Sequence, residues 1–324
     1  MSVASSSTAT WSTDTLLSGF EARTLHFPDD YDGPVRATLV RRMASAPTDR
    51  AVLYLHGFID YFFQAHLAEE FNAHDYNFYA LDLRKYGRSM EGARHPSCCR
   101  NVREYYPDIT AALKIMAEED GNTFVVLNGH SNGGLIASLY AAEGSRRGDI
   151  KALVLNSPFF DFNVPPAAKI VSGIIARFGK LIPFASIKGG VSELYPMSIH
   201  KDYHGEWDFD LRLKPVKGFP AYLGWIRATR SAQARVRRGL EIACPVLVMY
   251  SDRSVYGKEW SEEFHRGDAV LNVADIREGA RHLGPNVTEV EIKGGMHDLT
   301  LSQKGVREHA FTEMFDWLAG IEPR

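Results

Sequence analysis

Gly129-His130-Ser131-Asn132-Gly133 constrains this chain more than any other stretch. An apolar run, Thr123 to Asn128, precedes it, and a second, Gly134 to Tyr140, follows. The order is strand, sharp turn, helix, with G-x-S-x-G at the turn. A serine on so tight a turn has a strained backbone. The residues two before and two after it pass close together, and glycine at both places avoids a Cβ clash. The turn pushes the Ser131 hydroxyl out at the top of a sheet, beside a helix N-terminus. That makes Ser131 a candidate nucleophile.

The flanking sequence extends this pattern. Ala22 to Phe27 and Val35 to Arg41 read as early strands separated by a turn at Pro28 to Gly33. Ala51 to Leu55, Phe78 to Leu81 and Ala152 to Asn156 are short apolar runs of buried-strand type. Helical spacing appears near Phe63 to Ala73 and Val102 to Ala117. The alternation breaks from Ser157 to about Gly218, where proline and aromatic residues cluster. It resumes with a helix near Tyr222 to Arg237 and a strand from Pro245 to Tyr250. A helix near Val273 to Leu283, a strand from Val287 to Ile292 and a helix near Val306 to Leu318 complete it. Strands alternating with helices predict an α/β fold, a mostly parallel sheet of about eight strands flanked by helices. The expected organisation is a flexible segment over 1–20, a core from 21–157 and 219–324, and a mainly helical insertion over 158–218.

Composition narrows the classes. The 324 residues are 45% hydrophobic and 24% charged, with a net charge of -3. That is ordinary globular composition and nothing in it favours nucleic acid. No apolar stretch approaches the ~20 residues of a membrane span. Met1 to Thr15 lacks a basic run followed by an apolar one, so no secretory signal is expected. The cysteines, Cys98, Cys99 and Cys244, make no disulfide framework. The expected compartment is the cytoplasm.

A serine hydroxyl is a weak nucleophile until a base takes its proton. His297, after the last strand in Gly294-Gly295-Met296-His297-Asp298, is placed to be that base. The imidazole needs a carboxylate to fix its tautomer, drawn from between nucleophile and base. Asp268, in Gly267-Asp268-Ala269-Val270-Leu271 just before a helix, is preferred. Asp252, directly after the strand ending at Tyr250, is the alternative. Preferring Asp268 makes Ser254 to Arg266 an insertion. Backbone N–H groups of Phe58 and Asn132 are expected to receive the oxyanion. His56 is expected to orient the Phe58 loop, and His130 to pack beside the elbow.

These residues together resemble the serine hydrolases of the α/β-hydrolase superfamily. The nearest group is the serine aminopeptidase, monoacylglycerol lipase and lysophospholipase set. The resemblance runs from about Ala51 to Leu318. It rests on His56-Gly57-Phe58, on Asp82-Leu83-Arg84-Lys85-Tyr86-Gly87-Arg88-Ser89, on the pentapeptide and on His297. It implies a structural role for Asp82, a cap above the site over 158–218, and hydrolysis of small apolar esters without a cofactor. The chain departs from the pattern between Tyr250 and Asp268, where G-x-x-D is expected. A lactonase or a cofactor-free C–C bond hydrolase would use the same serine, and a non-catalytic binding protein could keep the same fold.

Two further features lie in the insertion. Val164 to Ser192 carries Lys169, Arg177, Lys180 and Lys188 without an acidic residue, and Ile170, Ile174, Ile175, Phe178, Leu181 and Ile182 recur near helical spacing. It reads as a helix packed on the core, a wall for an acyl chain, or a face making transient contact with lipid. His200 and His204 stand four apart, but Lys201 occupies the glutamate position of H-E-x-x-H, so no metal is expected. Oligomeric state is not legible.

Overall fold

The structure, a computed structural model, describes residues 10–164, 179–187 and 192–321. Nine strands form one sheet in the order β1-β2-β3-β5-β4-β6-β7-β10-β11. They are β1 (Ser12–Thr13), β2 (Glu21–Asp30), β3 (Gly33–Arg42), β4 (Arg50–Leu55), β5 (Asn77–Asp82), β6 (Phe124–His130), β7 (Ile150–Asn156), β10 (Val246–Ser251) and β11 (Val287–Ile292). β1, β2 and β3 pair antiparallel, and β3 joins β5 antiparallel. From β5 to β11 every pairing is parallel. The chain leaves β4 for β5 on one side and later returns to β6 on the other. The ends of β4 and β6 therefore flank the point where the winding reverses, the usual place for a site in such sheets.

Strand alternation builds both layers of the core. Leu53, Leu55, Leu127 and Leu155 point to one face, where they meet α2 (Tyr106–Lys114), α3 (Asn132–Glu143) and the helix Leu223–Arg237. Val52, Tyr54, Val126 and Val154 point to the other, against α1 (Ala65–Ala73) and the last helix, Lys304–Ile321. Parallel strands covered on both faces have no solvent side, which is why their sequences are nearly continuous apolar runs.

One expectation needs correction, and one expected boundary carries a contact across it. Residues 10–20, expected as part of a flexible lead-in over 1–20, pack on the core. Arg41 lies 3.8 Å over the Trp11 ring, buried Asp14 pairs with Arg88 at 2.6 Å, and Phe20 is buried. Insertion and core also interlock across the expected boundary at 219. A two-residue strand, β8 (Ser186–Ile187), pairs with β9 (Ala221–Tyr222). Such short pairings leave no periodic trace in the sequence. Beyond them, Tyr195, Ile199 and Phe209 form a small cluster with Tyr61, Phe63, Met296 and Leu301, which docks residues 194–209 on the core loops. No described helix is long and apolar enough to cross a membrane.

Candidate active site

Ser131 sits between β6 and α3 with φ 52° and ψ -116°, a conformation that a residue with a side chain occupies only when its surroundings impose it. Those surroundings are visible. Ser131 N–H donates to the Asn156 carbonyl at 3.0 Å, and Phe159 N–H donates to the Ser131 carbonyl at 3.0 Å. A Cβ on Gly129 would stand 2.7 Å from the Gly133 carbonyl oxygen, and one on Gly133 would overlap the carbonyls of Leu55 and His56. Both glycines are therefore steric requirements, the second imposed by β4. Gly133→Ala is expected to cost about 3 kcal/mol or more, the upper range of overpacking. Gly320→Ala, where nothing lies near, is the control. Urea unfolding of the two variants checks the contrast.

His297 Nε2 lies 2.9 Å from Ser131 Oγ, and His297 Nδ1 lies 2.9 Å from Asp268 Oδ2. All three residues are buried. The other oxygen of Asp268 accepts the N–H groups of Val270 and Leu271 at 2.8 and 2.7 Å, which fixes the carboxylate plane. Asp252 is elsewhere. Its Oδ1 accepts Gly294 N–H at 2.7 Å and closes the turn after β11. The long segment before Asp268 is a self-closing excursion. Asp268 N–H donates to the Arg253 carbonyl at 2.9 Å, and Val255 N–H donates to the Asp268 carbonyl at 2.8 Å. The chain thus returns to the end of β10 before presenting its carboxylate.

Phe58 and Asn132 flank the serine. Asn132 begins α3, so its N–H is one that the helix leaves without an internal partner. Gly57 presses on the elbow; a Cβ there would meet the Ser131 Cβ at 3.4 Å. His56 holds this loop. Its Nε2 accepts Leu83 N–H at 3.1 Å, which leaves Nδ1 to donate to the Gly57 carbonyl at 2.8 Å. His130 lies beside the His297 ring, with centroids 4.9 Å apart. Asp82 ties the Phe62 N–H to the Arg88 backbone and guanidinium, at 2.9 to 3.0 Å.

A supporting network was not legible in the sequence. Asp298 Oδ1 accepts Asn156 Nδ2 at 2.7 Å and Thr300 Oγ1 at 2.7 Å, its Oδ2 accepts Gln64 Nε2 at 3.2 Å, and its N–H donates to Tyr195 Oη at 3.1 Å. It links the His297 loop to β7, to the region after Phe58 and to the insertion. Burial opposes ionisation of Asp298, but His130 and the hydrogen bonds from Thr300 and Asn156 outweigh it and hold the carboxyl below its usual range. Only adjacency to His297 signals Asp298 in the sequence, and nothing signals Tyr195.

Burial also pushes His56, His66 and His130 below the ordinary histidine value of 6.5. Below that value the unfolded chain takes up protons that the folded chain refuses. Their contribution is whole above 6.5 and shrinks as pH falls, by up to about 1.4 kcal/mol per pH unit per proton. The melting temperature should fall between about pH 8 and pH 5.5, with proton uptake on unfolding. A flat profile would contradict this.

Ser131 and His297 open on a cavity of about 390 Å³. Phe58, Phe159, Phe162 and Trp225 form an aromatic wall, in which Phe58 stacks on Trp225 at 3.7 Å. Residues from the insertion, Tyr195 and Val216 among them, cover another side. Of the amphipathic stretch, Lys169, Ile170, Ile174, Ile175, Arg177, Phe178 and Lys188 lie outside the described residues. Leu181 and Ile182 are 77% and 51% exposed. His200 uses both ring nitrogens on backbone groups, the Phe209 carbonyl and Asp202 N–H, each at 3.1 Å. His204 stacks on Trp260.

A doubly flanked parallel sheet with a strained serine at the end of β6 defines an α/β-hydrolase fold. The family described as serine aminopeptidase, S33 matches residues 46–302, and the chain belongs to that family. Among curated proteins, none matches the sequence. Solved structures do match in fold. A soluble variant of monoglyceride lipase from Saccharomyces cerevisiae, in complex with a substrate analogue, has a TM-score of 0.68 at 16% identity, over 92% of this chain and 96% of that one. A thermostable carboxyl esterase from Bacillus coagulans, in complex with glycerol, has a TM-score of 0.65 at 14% identity, over 93% and 98%. Est1E from Butyrivibrio proteoclasticus, with ferulic acid bound, has a TM-score of 0.55 at 19% identity, over 91% and 99%.

Proposed function

We propose that this protein hydrolyses carboxylic esters of apolar acyl groups, with Ser131 as nucleophile, His297 as general base and Asp268 as the acid that orients it. The observation that carries the reading is the unbroken chain from Asp268 through His297 to Ser131, at 2.9 Å per link, facing an aromatic-walled cavity. His297 Nε2 takes the Ser131 proton as Oγ attacks the ester carbonyl. Asp268 accepts the Nδ1–H bond and stabilises the imidazolium. The Phe58 and Asn132 N–H groups bind the oxyanion. His297 then protonates the leaving alcohol, and the acyl group remains on Ser131. Water activated by the same histidine releases the acid. The steps need only this chain, water and the ester, so no cofactor enters. Residues 158–218 act as the cap, and the exposed Leu181 and Ile182 offer an edge for transient contact with lipid. Monoacylglycerols, lysophospholipids and simple carboxylesters all fit the reading, and the fold relatives named above act in its support.

The test is hydrolysis of p-nitrophenyl esters from acetyl to palmitoyl, with a Ser131→Ala blank and a fluorophosphonate probe for the serine. Serine-dependent turnover supports the reading, and the optimum chain length sizes the pocket. Folded protein that turns over no ester, and whose Ser131 ignores the probe, overturns it.

A further inference from the structure

Two buried charges in the cavity wall take no part in the chemistry above. Asp60 and Lys214, 3% and 5% exposed, pair at 2.6 Å. Stability is a weak reason for such a pair, because desolvating two charges costs about as much as their attraction returns. Position is a stronger reason. Asp60 follows Ile59, whose φ of 51° a β-branched residue avoids, and Ile59 follows Phe58. A strained turn persists only where its surroundings over-determine it. On the core side the loop is held by His56 at Gly57 and by Asp82 at Phe62. On the opposite side Phe58 stacks on Trp225, Tyr195 and Ile199 pack with Tyr61 and Phe63, and residues 209–214 of the insertion add three further grips. Asp210 N–H donates to Tyr61 Oη at 2.7 Å, the Phe209 ring packs 4.9 Å from Phe63, and Lys214 holds Asp60. The Lys214 ammonium also lies 4.9 and 5.3 Å from the Phe63 and Phe209 ring centroids, within cation–π range.

Building on the ester-cleaving reading of the triad, we propose that Lys214 is a positioning residue for the oxyanion hole. Through Asp60 it clamps the turn at Ile59 and aims the Phe58 N–H at the place where the oxyanion forms. The insertion then contributes to the transition state as well as to the walls of the cavity. A donor that matters only once charge develops on oxygen acts on kcat and leaves ground-state binding alone.

The experiment compares wild type, Ser131→Ala, Lys214→Met, Lys214→Arg and the double variant Asp60→Asn/Lys214→Met on the best ester of the series, with melting temperatures. Lys214→Met is expected to lower kcat about 10- to 100-fold, part of what losing a whole oxyanion donor costs. KM should stay within about threefold of wild type. Lys214→Arg, which keeps the ion pair, should restore most of kcat. The double variant buries no unpaired charge, so it should fold normally and remain as slow as Lys214→Met. A loss carried by KM alone, an arginine variant as slow as methionine, or a double variant at wild-type kcat would each overturn the assignment. Wild-type turnover with unaltered Lys214 variants sinks this proposal and spares the triad. Wild type without serine-dependent turnover sinks both.

Discussion

Ser131→Ala is expected to lower ester turnover by about 10⁴- to 10⁶-fold, with the fold intact. The oxygen removed is the one whose proton His297 is placed to take at 2.9 Å. Among the described residues no other hydroxyl is hydrogen-bonded to that ring. The main-chain bonds that shape the elbow, to Asn156 and from Phe159, involve no Ser131 side-chain atom, so the alanine variant should melt near wild type. Ser131→Gly separates chemistry from strain. It should be as inactive as alanine but more stable by about 1 kcal/mol, since glycine occupies a positive φ without the penalty a side chain brings. Steady-state rates and thermal melts of the two variants together test whether the elbow stores strain for the sake of the hydroxyl. Residual serine-independent hydrolysis near the wild-type rate would reject the assignment.

Asp268→Asn should cost about 10⁴-fold in kcat, whereas Asp252→Asn should cost less than about tenfold. The difference lies in what each carboxylate faces. The asparagine carbonyl at 268 can keep the N–H groups of Val270 and Leu271, but its NH₂ must then face His297. Nδ1 becomes an acceptor, the proton moves to Nε2, and the ring can no longer take the serine proton. At 252 the bond to Gly294 N–H survives the same substitution, because an amide oxygen accepts as a carboxylate does. Reversal of the two losses would move the acid to Asp252.

Much of the scaffold was legible because its signals are local. Buried parallel strands must be short apolar runs, so their positions followed from hydropathy alone. The elbow was legible because sterics demand glycine at 129 and 133. The acid was harder to read. Asp252 and Asp268 both follow β10, and only the pairing of Arg253 and Val255 with Asp268 brings the second carboxylate back to the site. Residues 10–20 were misread because a serine- and threonine-rich segment looks unstructured until Asp14 meets Arg88. The Asp298 network and the Asp60–Lys214 pair join residues from distant parts of the chain, and no local pattern encodes such contacts.

The order of strands and helices, the strained serine and the histidine after the last strand were therefore determined by the sequence itself, since each expresses a short-range rule of periodicity or steric exclusion. Which of the two carboxylates stands against His297, the aromatic wall of the cavity and the contact of Lys214 with Asp60 beside the Phe58 loop were decided by tertiary structure. Each depends on which residues the winding of the sheet and the docking of the insertion bring within a few ångströms, a distance that sequence separation does not report.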